Sequence, residues 1–133
     1  MNDRMTNGSI AKNQRERIEL LLERTKYFAR DGRLFVRALP RTSSNIEDGK
    51  QLIRSTGSVA AKTIETDEAL SRKDFVMRAK IVRKEAKESA LWLELVDVGD
   101  DAKLEAERHR LFNEANELKL IYNAIIVKAE SRH

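Results

Sequence analysis

Residues 51–65 read Gln51-Leu-Ile-Arg-Ser-Thr-Gly-Ser-Val-Ala-Ala-Lys-Thr-Ile-Glu65 and belong to the clearest helical pattern of the chain. Apolar and small residues recur here every three or four positions, which is the spacing of one helix face. They are Ile46, Gly49, Ile53, Gly57, Ala60 and Ile64. A glycine inside a helix costs about 1 kcal/mol relative to alanine. Two glycines on one stripe therefore predict that a neighbouring helix approaches closely, with simple tolerance of the glycines as the alternative.

Three further segments carry the same period, so the sequence predicts four helices at about 14–38, 45–69, 72–97 and 101–131. The first stripe comprises Ile18, Leu21, Thr25, Phe28, Gly32, Phe35 and Leu39, the third Phe75, Ala79, Val82, Ala86, Ser89, Leu93 and Val96, and the fourth Leu104, Leu111, Leu118 and Ile125. Ser44, with Glu47 three residues on, predicts a capping box at the start of the second helix. Short connections predict an all-α, antiparallel up-down-up-down four-helix bundle over residues 14–133. The polar residues 1–13 are predicted to be disordered.

Composition narrows the class of protein. The 133 residues suit one domain, and 36% charged residues with five glycines and one proline favour helices over strands. The absence of cysteine excludes disulfides and thiolate sites and is consistent with the cytoplasm, where we expect this protein. No apolar run approaches the roughly 20 residues of a membrane span, so no membrane association is expected.

The motifs of common enzyme classes are missing from the sequence. No P-loop, dinucleotide glycine pattern or nucleophile elbow is found. His109 lacks the glutamate three residues earlier that di-iron bundles use, and the terminal Glu130-Ser-Arg-His133 has that spacing only once, whereas such a site needs two pairs. We therefore expect no enzymatic activity, no catalytic residue, no metal site and no cofactor.

The third predicted helix is rich in basic residues. Residues 71–90 contain seven basic and three acidic side chains. The basic ones are Arg72, Lys73, Arg78, Lys80, Arg83, Lys84 and Lys87. Such a concentration is typical of phosphate contacts, so these residues are the candidate nucleic-acid-binding set. The alternative is a solvated face, or cations that pair with the acidic helices.

Several motifs of residues 51–93 occur in the order and register of a known family. Gln51-Leu-Ile-Arg54, Ser58-Val-Ala-Ala-Lys-Thr-Ile-Glu65, Lys73-Asp-Phe75 and Ile81-Val-Arg83 with Glu88 resemble the four-helix bundle proteins of the 23S rRNA intervening-sequence family. The positions that carry this signature are Gln51, Arg54, Ser58, Lys62, Glu65, Phe75, Arg83 and Glu88. The resemblance covers about residues 25–130.

The resemblance implies an antiparallel bundle that assembles as a closed homopentamer and whose biochemical role is not established. A related branch accompanies diversity-generating retroelements and binds reverse transcriptase and nucleic acid. Lys62 departs from the family pattern, which has Asn there, so it either pairs with Glu65 or Glu88 or disrupts an amide network. Our leading hypothesis is a non-enzymatic oligomeric bundle that binds RNA or DNA. The alternative is a protein–protein adaptor or scaffold, such as an accessory to a reverse transcriptase encoded nearby.

Overall fold

Four helices make up nearly the whole described chain. The computed structural model describes the backbone of residues 7–131 and the side chains of residues 13–131. The helices are α1 (Asn7–Ala38), α2 (Ser43–Asp67), α3 (Arg72–Leu95) and α4 (Ala102–Glu130). Residues 7–131 contain no strand, which confirms the all-α prediction. None of these four helices is both long enough and apolar enough to cross a lipid bilayer.

Side-chain contacts between helices show that sequential helices run antiparallel. Arg15, near the start of α1, bonds Asp67 at the end of α2, with an N–O distance of 3.1 Å. Lys80, near the start of α3, pairs with Glu130 at the end of α4 at 3.1 Å. Because α1 and α3 each pack against both α2 and α4, the helices close into a four-sided bundle with up-down-up-down topology.

The core follows the stripes predicted for α1, α3 and α4. Its largest apolar members on these helices include Phe28, Phe35, Leu93, Leu111 and Leu118, all at most 2% exposed. The same core contains Ala79, Val82, Ala86, Val96, Ala115, Tyr122 and Ile126. The ends of the predicted stripes, at Ile18, Phe75, Leu104 and Ile125, are only half-buried because the bundle opens there to solvent.

The inward face of α2 differs from the predicted stripe. Ile46 and Ile64 are 42% and 57% exposed, whereas Leu52 and Val59 are fully buried. Small hydroxyl residues fill the rest of the inward face, namely Ser55, Thr56, Thr63 and Thr66. Their hydroxyls donate to backbone carbonyls three or four residues back, so these side chains are buried without an unpaired donor. The stripe predicted from the sequence is therefore only partly buried: Gly49 is buried, whereas Ile46 and Ile64 are exposed.

The glycines of α2 lie where α1 comes close, as the sequence predicted. A Cβ added at Gly49 would lie 2.9 Å from Val36 Cγ1 of α1. A Cβ at Gly57 would lie 3.0 Å from the guanidinium of Arg33. Val36 is branched close to its backbone and cannot move aside, whereas the guanidinium of Arg33 is the end of a flexible side chain. Only Gly49 is therefore sterically required.

One buried side chain joins the two loops at the same end of the bundle. Asn45 is 3% exposed. Its amide nitrogen donates to the carbonyls of Pro40, at 2.9 Å, and Asp97, at 2.8 Å. Its amide oxygen accepts from the Asp97 backbone N–H at 2.9 Å. The α1–α2 and α3–α4 connections are thereby fixed to each other, and we call this the clamped end.

Two predicted helix starts need correction. The N-cap of α2 is Thr42, whose hydroxyl accepts from the Asn45 backbone N–H at 3.1 Å, and not Ser44. Thr42 takes the cap because it has the extended backbone that the capping position needs, while Ser44 is already helical. The first helix begins at Asn7, not near Gln14. Polar residues do not prevent a helix when no proline interrupts them. The predicted disorder of residues 1–6 lies outside the described residues.

Candidate nucleic-acid interface

Helix α3 presents its basic residues on more than one face. With 100° per residue, Lys73, Lys80, Lys84 and Lys87 follow one another at intervals of seven, four and three positions and share one exposed face. Lys80, Arg83, Lys84 and Lys87 line one shallow depression of about 380 Å³ together with Glu88 and Leu91. We call Lys73, Lys80, Arg83, Lys84 and Lys87 the α3 basic face.

Arg78 points away from this face. Its guanidinium bonds Asp74 at 2.9 Å and lies 3.6 Å from Glu65 of α2. The hydrogen bond with Asp74 raises the pKa of Arg78 and lowers the pKa of the Asp74 carboxyl. Arg78 thus follows the alternative that the sequence left open, a cation that pairs with acidic side chains, and we do not count it in the basic face. Arg72 lies at the first turn of α3, at the other end of the bundle from the clamped end.

The charges of the α3 basic face are only partly neutralised. Lys80 pairs with Glu130 of α4 at 3.1 Å. Arg83 donates to the neutral amide oxygen of Asn123 at 2.9 Å, which leaves its positive charge uncompensated. Among residues 13–131, no acidic side chain lies within ion-pair distance of Lys73, Lys84 or Lys87. Four uncompensated cations therefore remain on this face.

Helix α4 adds a cation that sequence reasoning missed. Lys119 lies one helical turn before Asn123, the partner of Arg83, and the antiparallel course of α3 and α4 places it beside Lys87. It is half-buried and has no acidic partner among the described side chains. Only the pairing of α3 with α4 identifies Lys119, because in the sequence it is an isolated lysine.

The signature positions of α2 form a polar stripe along the boundary with α3. Gln51, Arg54, Ser58, Lys62 and Glu65 recur at intervals of three or four. The Arg54 Nε–H donates to Gln51 Oε1 at 3.3 Å. Arg54 Nη2 lies 3.8 Å from Glu88 Oε1 of α3. Lys62 pairs with Glu65 at 3.2 Å, one of the two outcomes that the sequence left open.

The pairing of Lys62 takes place at the surface. Its side chain is 37% exposed and that of Glu65 is 43% exposed, so no charge is buried there. Phe75 is separate from this stripe and lies half-buried at the end of the bundle where α3 begins. Arg83 belongs to the α3 basic face. The signature residues are thus not one site but a surface stripe, a residue at the bundle end and a member of the basic face.

No metal site accompanies these residues. Within residues 13–131, no three His, Asp or Glu side chains are grouped closely enough to hold a metal ion. His109 is exposed on α4, and His133 lies outside the described residues.

Comparison with solved structures supports the bundle architecture. A similar structure is the crystal structure of a protein of unknown function from the S23 ribosomal protein family of Bacteroides thetaiotaomicron. It shares 26% sequence identity with a TM-score of 0.68, and the match covers 80% of this chain and 97% of that chain. No protein-family model matches the sequence, and no curated protein matches it either.

Proposed function

We propose that this protein is a non-enzymatic helical-bundle protein of the 23S rRNA intervening-sequence type that binds nucleic acid through the α3 basic face. The observation that carries the proposal is the set of four uncompensated cations, Lys73, Arg83, Lys84 and Lys87, on one face of one helix. A rigid helix that presents cations in this way contacts successive phosphates without reading bases. The likeness to the S23-family structure, at 26% identity, supports the family assignment.

Salt dependence gives the sharpest test of this proposal. If the four cations each neutralise one phosphate of duplex DNA, the slope of log K against log [salt] is about −3.6 per protomer. Affinity then falls about 150-fold between 50 and 200 mM salt. Fluorescence anisotropy with labelled duplex DNA and with structured RNA measures both values. No binding to either the DNA or the RNA at 50 mM salt would overturn the proposal.

A charge-matched pair of variants locates the interface. Replacing Lys73, Lys84 and Lys87 with Gln removes three of the four cations, and we expect the slope to change by about 2.7. The control replaces Lys26, Lys50 and Lys103, three lysines on the other helices, with Gln. Its net charge equals that of the first variant. Equal weakening in both variants would show that net charge, and not the α3 basic face, determines binding.

We further propose that the protein acts as a homo-oligomer in the cytoplasm, with a pentamer expected from the family resemblance. The outward stripe of α2 favours self-association because Ile46, Ile53 and Ile64 remain at least partly exposed on one helix face. Light scattering of the purified chain gives its mass directly. A monomeric mass at protein concentrations well above about 1 μM, a modest dissociation constant for self-association, would contradict this part of the proposal.

The same stripe favours the alternative function, a protein–protein adaptor. An adaptor needs an apolar surface for its partner, and the α2 stripe meets that need without the basic face. Pulldown with the products of neighbouring genes, including any reverse transcriptase, tests it. Capture that is lost in an Ile46→Ser, Ile64→Ser variant and retained when Lys73, Lys84 and Lys87 are changed to Gln would favour the adaptor over the nucleic-acid binder.

A further inference from the structure

An apolar groove opens at the end of the bundle opposite the clamped end. It has a volume of about 820 Å³ and lies between α1, the first turn of α3 and the last turns of α4. Its walls are made by half-buried side chains, chiefly Ile18, Leu21, Phe75, Ile121 and Ile125. This volume is within the 300–1,000 Å³ range of small-molecule sites, which in helical bundles lie between the helices.

The groove lies beyond the ion pairs that join α1 to α4. Nearer the middle of the bundle, Arg24 of α1 bonds Glu114 of α4 at 2.6 Å, and Arg110 bonds Asp31 at 2.9 Å. Beyond Arg24 no hydrogen bond or ion pair joins these helices among the described side chains. The apolar side chains Ile18, Leu21, Ile121 and Ile125 are half-buried there.

Two leucines at the rim are largely exposed. Leu20 of α1 is 70% exposed, and Leu70, in the loop between α2 and α3, is 96% exposed. Both line the groove. Leucines this exposed gain free energy from any apolar group that enters beside them. The rim thus extends the apolar surface that a long ligand contacts.

The charge of the lining is one-sided. Four basic side chains and no acidic one line the groove, although the whole chain has 26 basic and 22 acidic residues. Glu114 and Glu117 already neutralise Arg24. Arg17 and Lys128 have no acidic partner among the described residues, and Arg72 is the fourth basic group. An apolar groove with a cationic rim matches a ligand that has an apolar body and a negatively charged head.

We propose that this groove binds an amphipathic organic anion, specifically a straight-chain fatty carboxylate. The alkyl chain lies along α4 between Ile121 and Ala129, a distance of about 12 Å at 1.5 Å per residue. The carboxylate lies at the rim beside Arg17 and Lys128. The groove is separate from the α3 basic face, so the proposal does not depend on nucleic-acid binding.

Calorimetry with sodium dodecanoate, kept below its micelle-forming concentration, tests the ligand class. We expect saturable binding of one dodecanoate per protomer. Decanol and dodecyltrimethylammonium serve as the neutral and cationic probes of similar tail length. The proposal requires that dodecanoate bind at least tenfold more tightly than either. No heat of binding up to about 1 mM dodecanoate, or equal affinity for the cationic probe, overturns it.

A matched pair of leucine variants tests the location. Leu20→Ser removes a groove residue, whereas Leu34→Ser removes a leucine 53% exposed on the same face of α1, two heptads away and outside the groove. We expect Leu20→Ser to weaken dodecanoate binding about tenfold and Leu34→Ser to leave it unchanged. Because both positions are exposed, the fold should tolerate both changes, and circular dichroism verifies this.

Charge and occupancy variants complete the test. Arg17→Gln with Lys128→Gln is expected to reduce dodecanoate affinity several-fold and to abolish the preference over decanol. Ala129→Phe, which fills the groove, is expected to remove binding altogether. If wild type binds no dodecanoate and Leu20→Ser instead lowers the mass measured by light scattering, the groove is a contact between copies of this chain and the proposal is wrong.

Discussion

Replacing Tyr122 with Phe removes one buried hydrogen bond and one titratable group from the centre of the bundle. Tyr122 of α4 is 1% exposed and Thr63 of α2 is 2% exposed. The Tyr122 hydroxyl donates to Thr63 Oγ1 at 3.0 Å, and Thr63 in turn donates to the Val59 carbonyl at 2.8 Å. This short chain of hydrogen bonds joins two helices that lie diagonally across the bundle.

At neutral pH we expect Tyr122→Phe to lower the free energy of unfolding by about 1 kcal/mol, the net value of a typical buried hydrogen bond. The loss stays small because Thr63 keeps its bond to the Val59 carbonyl, so no donor is left unpaired. Tyr27→Phe is the control, since Tyr27 is 41% exposed. We expect that substitution to change stability by less than about 0.5 kcal/mol.

At high pH the order of stability reverses. Burial raises the pKa of Tyr122 from the ordinary value of 10.0 to about 12. The folded state therefore holds the phenol proton more tightly than the unfolded chain. The associated stability is fully present below pH 10 and is lost as the pH rises from 10 to about 12, for a total of about 2–3 kcal/mol. The Tyr122→Phe variant does not lose stability in this way. Wild type should have lost roughly 1 kcal/mol near pH 11, which equals the loss caused by the substitution, so the two proteins should be equally stable at that pH.

Urea denaturation followed by circular dichroism, at pH 7 and in steps from pH 9 to 12, measures the difference between wild type and Tyr122→Phe. Lysine and exposed tyrosine titrations are common to both proteins and cancel in that difference. A difference that stays constant across this pH range would refute the reasoning, because it would show that Tyr122 ionises equally well in the folded and unfolded states. A Thr63→Val, Tyr122→Phe double-mutant cycle measures the coupling directly, with about 1 kcal/mol expected.

Two further predictions concern stability measured by urea denaturation. Gly49→Ala should destabilise the protein by about 1–3 kcal/mol, because the new Cβ meets Val36 and a β-branched side chain has little freedom to move. Gly57→Ala is its matched control and should stabilise by up to about 1 kcal/mol, since the guanidinium of Arg33 moves aside easily. Equal effects of the two alanines would contradict the assigned approach of α1. Asn45→Ala should lower the free energy of unfolding by about 3 kcal/mol, because three side-chain hydrogen bonds to the two loops are lost at about 1 kcal/mol each. A decrease below about 1 kcal/mol would show that the clamped end does not depend on Asn45.

The helices and most of the core are predictable from the sequence because three of the four helices bury their most apolar stripe. Helix α2 does not. Its inward face combines Leu52 and Val59 with serine and threonine residues whose hydroxyls bond carbonyls of the same helix. The hydropathy of this face is therefore low although the face is buried. Its outward isoleucines carry the stronger hydropathy signal. A rule that assigns the most apolar face of a helix to the core therefore fails for α2.

The basic site was predictable in composition and not in geometry. The seven cations of α3 are visible in the sequence, but the helical period alone does not show that Arg78 turns toward Asp74 and Glu65. Lys119 enters the site only through the packing of α3 on α4. The apolar groove had no sequence signal, because its lining comes from α1, α3, α4 and the loop between α2 and α3, which only the fold brings together.

The two ends of the bundle differ in how their chain segments are fixed. At one end Asn45 makes three hydrogen bonds to the two loops, and Arg108 donates to the carbonyl of Val96, the residue after α3, at 2.6 Å. At the other end, the helices that surround the groove are joined by surface ion pairs, such as Arg15 with Asp67 and Lys80 with Glu130, and no buried side chain among the described residues bonds two connections there. Local opening should therefore follow a gradient along the bundle axis, with amide hydrogen exchange slowest beside Asn45 and fastest near Leu70. A bundle with such a gradient can admit a guest among its helices at the groove end while the clamped end stays closed.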